Sequence, residues 1–111
     1  MVKNDAPARG DVVWTNFSPS RGHEQGGKRP AVVVSSQDYN ALIGLAMVCP
    51  VTSRIKGYPF EVLLAEGKIE GAALVDQLRS FDWQARKLKK AGIVSEHTLF
   101  EIQKKLKTLL F

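Results

Sequence analysis

Between residues 11 and 17, Val12, Trp14 and Asn16 alternate with Val13, Thr15 and Phe17, the two-residue period of a half-buried strand. Pro30 opens a second apolar run, Ala31-Val32-Val33-Val34, whose unbroken β-branched character predicts a strand covered on both faces. Between the two, residues 18–28 collect Ser, Pro, His, Glu, Gln and three glycines, too polar for core and long for a simple hairpin, so the loop is expected to carry a task. Residues 37–44 read as a short helical turn or loop ending at Gly44. A third apolar run over 45–51 finishes in Pro50-Val51-Thr52-Ser53, so hydroxyls terminate a buried strand. Residues 60–64 and 72–78 supply two more strands, divided by a charged, Gly-containing connection over 66–71. From Ser95 the period changes: Leu99, Ile102, Leu106 and Leu109 recur at three- and four-residue spacing behind a good N-cap, which predicts one terminal helix lying across the sheet or barrel. Strands first and a helix last, without βαβ alternation, give an α+β fold with a mostly antiparallel, barrel-like sheet of at least five strands.

Size narrows this further. The 111 residues leave room for one domain over 1–111, which excludes two-domain enzymes. At 44% hydrophobic and 24% charged, the composition is that of an ordinary soluble globular protein. No run approaches the roughly 18 apolar residues of a membrane span, and residues 1–10 carry Lys, Asn, Asp and Arg where a signal peptide has its apolar region; no membrane association and a cytoplasmic location are expected. Cys49 has no second cysteine to pair with, and His23 and His97 are too few to complete a structural zinc site beside it. A formal charge of +5 favours polyanion partners, with cations gathered at Arg86, Lys87, Lys89 and Lys90 and again at Lys104, Lys105 and Lys107.

The Walker pattern, the dinucleotide fingerprint, the zinc-protease helix and the nucleophile elbow are all absent, and no cofactor or metal is expected. What remains is a set of polar residues at loop and strand junctions: His23, Glu24, Lys28 and Arg29, then Thr52 and Ser53, then Asp76, Gln77 and Arg79. They sit in a series of short motifs: Gly22-His23-Glu24-Gln25, Arg29-Pro30-Ala31, Pro50-Val51-Thr52-Ser53, Gly57-Tyr58-Pro59-Phe60-Glu61-Val62, Asp76-Gln77 with Arg79-Ser80, and Asp82-Trp83-Gln84-Ala85-Arg86. In that order, over about residues 9 to 111, they resemble the MazF/PemK family of toxin endoribonucleases. The resemblance implies a small SH3-like barrel with added helices, a homodimer, metal-independent cutting of single-stranded RNA at short sequences, and silencing by a cognate MazE-like antitoxin.

Cutting of that kind uses the neighbouring 2′-hydroxyl as nucleophile, so the protein must help deprotonate it, stabilise the crowded phosphorus centre and protonate the departing 5′-oxygen. Arg29 suits the second task, since a guanidinium gives two hydrogen bonds to phosphate oxygens and stays charged. The resemblance adds Thr52, whose hydroxyl donates to phosphate or fixes the 2′-oxygen. Glu24 is a candidate base or orienter of Arg29, and His23 a candidate proton carrier. The candidate RNA-binding residues are Phe17, Lys28, Ser53, Lys56, Asp76, Gln77, Arg79 and Arg86. Tyr58 and Trp83 offer further rings beside cations, whereas Trp14, Phe81 and Cys49 read as core and His97 as exposed and inert. One departure is plain: some plasmid-type relatives carry a catalytic arginine two residues before the Asp-Gln pair, and Leu74 stands there, which leaves Asp76 for base recognition or for bracing the loop. Two rival readings are a CcdB-like gyrase poison, whose C-terminal Trp-Gly hallmark is not matched by Thr108-Leu109-Leu110-Phe111, and a non-catalytic nucleic-acid binding module.

Overall fold

The computed structural model describes residues 5–64 and 69–111. Strands β1 (Asp11–Asn16) and β2 (Lys28–Val33) pair from Val12↔Val32 to Asn16↔Lys28, so the polar loop of the sequence is the connection of an antiparallel hairpin. Helix α1 (Gln37–Ile43) follows, started by Ser36, whose hydroxyl accepts from the Tyr39 N–H at 3.2 Å, and stopped by Gly44 in the left-handed conformation at φ 86°. Then come β3 (Leu45–Thr52), β4 (Glu61–Leu64), β5 (Gly71–Leu74), a 3-10 turn over Val75–Gln77, β6 (Arg79–Asp82), β7 (Lys89–Ile93) and α2 (Glu96–Leu110). The strand order is β4-β5-β3-β2-β1-β7, with β6 also on β3 and every pairing antiparallel.

Strand β3 organises the sheet. Its first half, Leu45 to Val48, pairs with β6, its last two residues, Val51 and Thr52, pair with β5, and the stretch between bonds to β2. Two successive partners split the sheet and curl it into a half-barrel. The continuous valine runs are explained by burial on both faces. Val12, Val32, Cys49 and Val51 enter one core with Val62, Val75 and Ile102 of α2, whereas Val13, Ala31, Val33 and Val48 enter a second with Phe17, Phe81 and Trp83. Helix α2 is capped by Ser95, which accepts from the Thr98 N–H at 3.1 Å, and seats Leu99, Ile102 and Leu106 on the first core.

Two expectations need correction, and one strand went unanticipated. The apolar run over 72–78 is not one strand: the chain leaves β5 at Leu74, makes the 3-10 turn and re-enters the sheet on β3 as β6. β7, with a solvent-exposed pattern, has no alternation to betray it. Trp14 is 42% exposed rather than core. Of the connection expected over 66–71, residues 66–68 lie outside the described residues. Among the described residues no helix is long and apolar enough to cross a membrane.

Candidate active site

Arg29 is the second residue of β2, and Thr52 the last of β3. The curl brings them to one cleft of about 550 Å³, shared with His23, Gln25, Ser53, Arg54, Lys56, Tyr58, Glu61, Leu74 and Gln77. Among the described residues, Arg29 is held by backbone oxygens: Nε and Nη2 donate to the Gly26 carbonyl at 2.9 and 2.7 Å, and Nη1 donates to Val51 O at 3.3 Å, the carbonyl of the peptide bond leading into Thr52. A guanidinium has five N–H groups. These three bonds leave one on each terminal nitrogen, the pair suited to two oxygens of one phosphate. The Thr52 side chain is buried, and its Oγ1 accepts from the Arg54 N–H at 3.1 Å, so the hydroxyl hydrogen remains to donate.

Gly71 sets the height of Thr52. Its φ of +140° and its closeness to β3 both exclude a side chain: a Cβ there would strike Thr52 O and lie 3.0 Å from Val51 Cγ1. The cleft's outer wall is built by Glu61, whose carboxylate accepts from the N–H groups of Lys56 and Gly57 at 3.0 and 2.7 Å and so folds the turn that carries Lys56 and Tyr58. The Tyr58 hydroxyl donates to Asp76 Oδ1. Burial pushes the phenol up to about 12, helped by that hydrogen bond and by the charges of Asp76 and Glu61, so Tyr58 is a proton donor in hydrogen bonds and no base near neutrality.

The loop over 18–27 brings only part of its expected chemistry to the cleft. His23 and Gln25 line it, held by Gln77, whose Oε1 accepts from the Gln25 N–H at 2.8 Å and whose Nε2 donates to His23 O at 3.2 Å. Glu24 does not line the cleft: its Oε1 closes a turn on the Arg21 N–H at 2.9 Å, and carbonyls rather than this carboxylate orient Arg29. Phe17 is fully buried, edge-on to Phe81 with centroids 5.1 Å apart, and offers no face to a base. Arg79 and Arg86 stand over the Phe81 ring at 4.8 and 4.1 Å and donate to the carbonyls of Phe17 and Asn16 at 3.2 and 3.1 Å, which fixes the root of the loop and keeps both outside the cleft. Lys28 lines an adjoining groove of about 400 Å³ with Trp14, which also touches Arg29 and Ser53. Trp83 is core, its indole N–H donating to Asn40 O at 2.8 Å.

Of the residues singled out in the sequence, Arg29, Thr52, His23, Ser53, Lys56, Tyr58 and Gln77 line this cleft, joined by Gln25, Arg54 and Glu61, which the sequence reading passed over. The signal for Glu61 was present, since a glycine four residues before a carboxylate in a strand-to-strand connection marks a turn that an acid can cap.

A family model described as PemK-like, MazF-like toxin of type II toxin-antitoxin system matches residues 8–110. The chain belongs to this family. Its relatives include an endoribonuclease toxin MazF of Escherichia coli strain K12, 43% identical over 110 residues and covered to 99% in both chains. The endoribonuclease toxin ChpB of the same strain is 36% identical over 116 residues, again with 99% of each chain. The crystal structure of MazF from Deinococcus radiodurans (Form-I) has a TM-score of 0.89 at 47% identity, covering 95% of this chain and 96% of that one. A MazE-MazF structure from Deinococcus radiodurans (Form-II) has a TM-score of 0.82 at 43% identity, with 95% of each covered. The curled antiparallel sheet with its C-terminal helix is therefore the fold of this PemK-like, MazF-like toxin family, and the Arg29 and Thr52 cleft lies within the matched span.

Proposed function

We propose that this chain is an endoribonuclease toxin that cuts single-stranded RNA at the Arg29 and Thr52 cleft and is neutralised by a MazE-like antitoxin. The observation that carries the reading is the convergence of Arg29 and Thr52, from different strands, upon one polar cleft in a member of a toxin family whose relatives bear the endoribonuclease name. In the reaction the 2′-oxygen attacks phosphorus, the bond to the 5′-oxygen breaks, and a 2′,3′-cyclic phosphate and a 5′-hydroxyl result. Arg29 meets the phosphate with its two unused N–H groups while Thr52 donates its hydroxyl to the same centre. His23, the histidine lining the cleft, is the candidate to move the protons of nucleophile and leaving group.

The working molecule is a homodimer acting in the cytoplasm, where messenger RNA is translated. Apolar side chains exposed at Leu63, Phe100, Leu110 and Phe111 offer surface to a second copy or to the antitoxin. Purified protein incubated with a mixed-sequence RNA in EDTA tests the activity. Cleavage leaving 5′-hydroxyl ends, abolished by a 2′-deoxy substitution at the scissile nucleotide, is expected. Lack of cutting, or 5′-phosphate ends, would overturn the reading. Arg29→Ala should lower the rate by about a hundredfold or more, as loss of a transition-state donor commonly does.

A further inference from the structure

The loop between β1 and β2 is fixed at its root by strand pairing, with the Phe17 N–H donating to Gly27 O at 2.8 Å. Its tip has no strand partner among the described residues. Two backbone groups there, the carbonyl of His23 and the N–H of Gln25, flank Glu24, and both are met by one side chain from more than fifty residues away: Gln77 donates to the first at 3.2 Å and accepts from the second at 2.8 Å. A carboxamide carries the same donor and acceptor as a peptide group, so Gln77 supplies the neighbour that a second strand would have given. Gln77 ends the 3-10 turn that follows β5, and β5 pairs with β3 at Thr52↔Ala72 and Val51↔Ala73. The loop tip is thereby tied to the same strand pair that sets the position of Thr52.

We propose that Gln77 is a positioning residue: its carboxamide latches the loop tip and holds His23 in register with Arg29 and Thr52 across the cleft. This assigns Gln77 a part different from the RNA contact expected of it: both polar atoms of its amide are engaged by the backbone of the loop. Arg29 completes the latch from the other side through Gly26 O. A misplacement of about 1 Å at a reacting group costs up to a hundredfold in rate, so a single side-chain amide is enough to matter.

The inference rests on the endoribonuclease reading, and its test separates the two. Gln77→Ala removes both bonds, whereas Gln77→Glu keeps an acceptor for the Gln25 N–H and loses the donor to His23 O. In amide hydrogen exchange of the RNA-free protein, the Gln25 N–H should exchange about tenfold faster or more in Gln77→Ala and retain part of its protection in Gln77→Glu. In cleavage of a defined RNA, kcat should fall by about tenfold or more in Gln77→Ala with KM within about twofold, and the map of cut sites should stay that of the unaltered protein. Unchanged exchange at Gln25 in both variants would overturn the latch, and so would a raised KM with unchanged kcat or a shifted cut-site preference, either of which would make Gln77 an RNA contact. Failure of the unaltered protein to cut RNA would instead remove the functional reading, while the exchange measurement, which needs no RNA, still decides the latch.

Discussion

In the proposed reaction, Thr52 and Arg29 divide the contacts to the phosphate by the number of donors each has left. Arg29 commits three N–H groups to carbonyls and keeps two, and Thr52 accepts from Arg54 and keeps its proton. Thr52→Val, which keeps the shape and removes the hydroxyl, should slow cleavage by about tenfold to a hundredfold at a temperature where the variant is still fully folded, and Thr52→Ser should restore most of the rate; a Val variant as fast as the original would show that the hydroxyl is idle. Tyr58 gives a pH prediction of definite sign. Its phenol is raised from 10.0 to about 12, so its contribution to stability is complete below pH 10 and is lost as pH climbs toward 12. Tyr58→Phe should therefore show a smaller fall in denaturant midpoint across that window than the unaltered protein. That Arg29 and Thr52 share a cleft was legible in part: the guanidinium before β2 stood out by its chemistry, whereas Thr52, which by itself reads as a strand terminator, was singled out through the family resemblance. Glu24 was not placed correctly, because which way a loop carboxylate turns depends on a local contact, here the Arg21 N–H, that no spacing encodes.

At the scale of elements, Gly71 links sheet geometry to the cleft. Any side chain there meets the backbone of Thr52 and must also adopt φ near +140°, a conformation that disfavours L residues by about 1–3 kcal/mol. Gly71→Ala should lower the unfolding free energy by at least that range and displace Thr52, so that cleavage falls further than global stability at a temperature where the variant is still folded; denaturant titration and initial rates on one RNA separate the two effects. The strands that could be read from sequence were those whose burial is patterned: β1 by alternation, β2 and β3 by apolar runs covered on both faces, and α2 by its three- and four-residue period. β7 escaped because its sequence, Lys-Lys-Ala-Gly-Ile, pairs with β1 largely through backbone and keeps its side chains in solvent. β6 escaped because the apolar run before it continues into Val75, which is buried like a strand residue although it opens a 3-10 turn.

Across the whole molecule the charge excess of +5 is unevenly employed, and only part of it faces the cleft. Lys90 is 3.4 Å from Asp11, Lys104 is 3.2 Å from Glu101 on α2, and Arg79 and Arg86 hold loop carbonyls. Arg29, Arg54 and Lys56 are the cations that line the cleft. The composition favours a polyanion partner, and the densest run of cations, over 86–90, does not line the cleft, which folding assembles from residues far apart in the chain. Salt dependence distinguishes the two sets. Each phosphate neutralised on a single strand contributes about 0.7 to the slope of log affinity against log salt, through counterion release. With an RNA made uncleavable by a 2′-deoxy scissile nucleotide, Lys56→Ala should reduce the slope by about 0.7 and weaken binding most at low salt, and Lys104→Ala should leave both unchanged. Equal losses from the two substitutions would mean that RNA is gathered by the overall field of the molecule, and the cleft would then lose its claim to be where the strand lies.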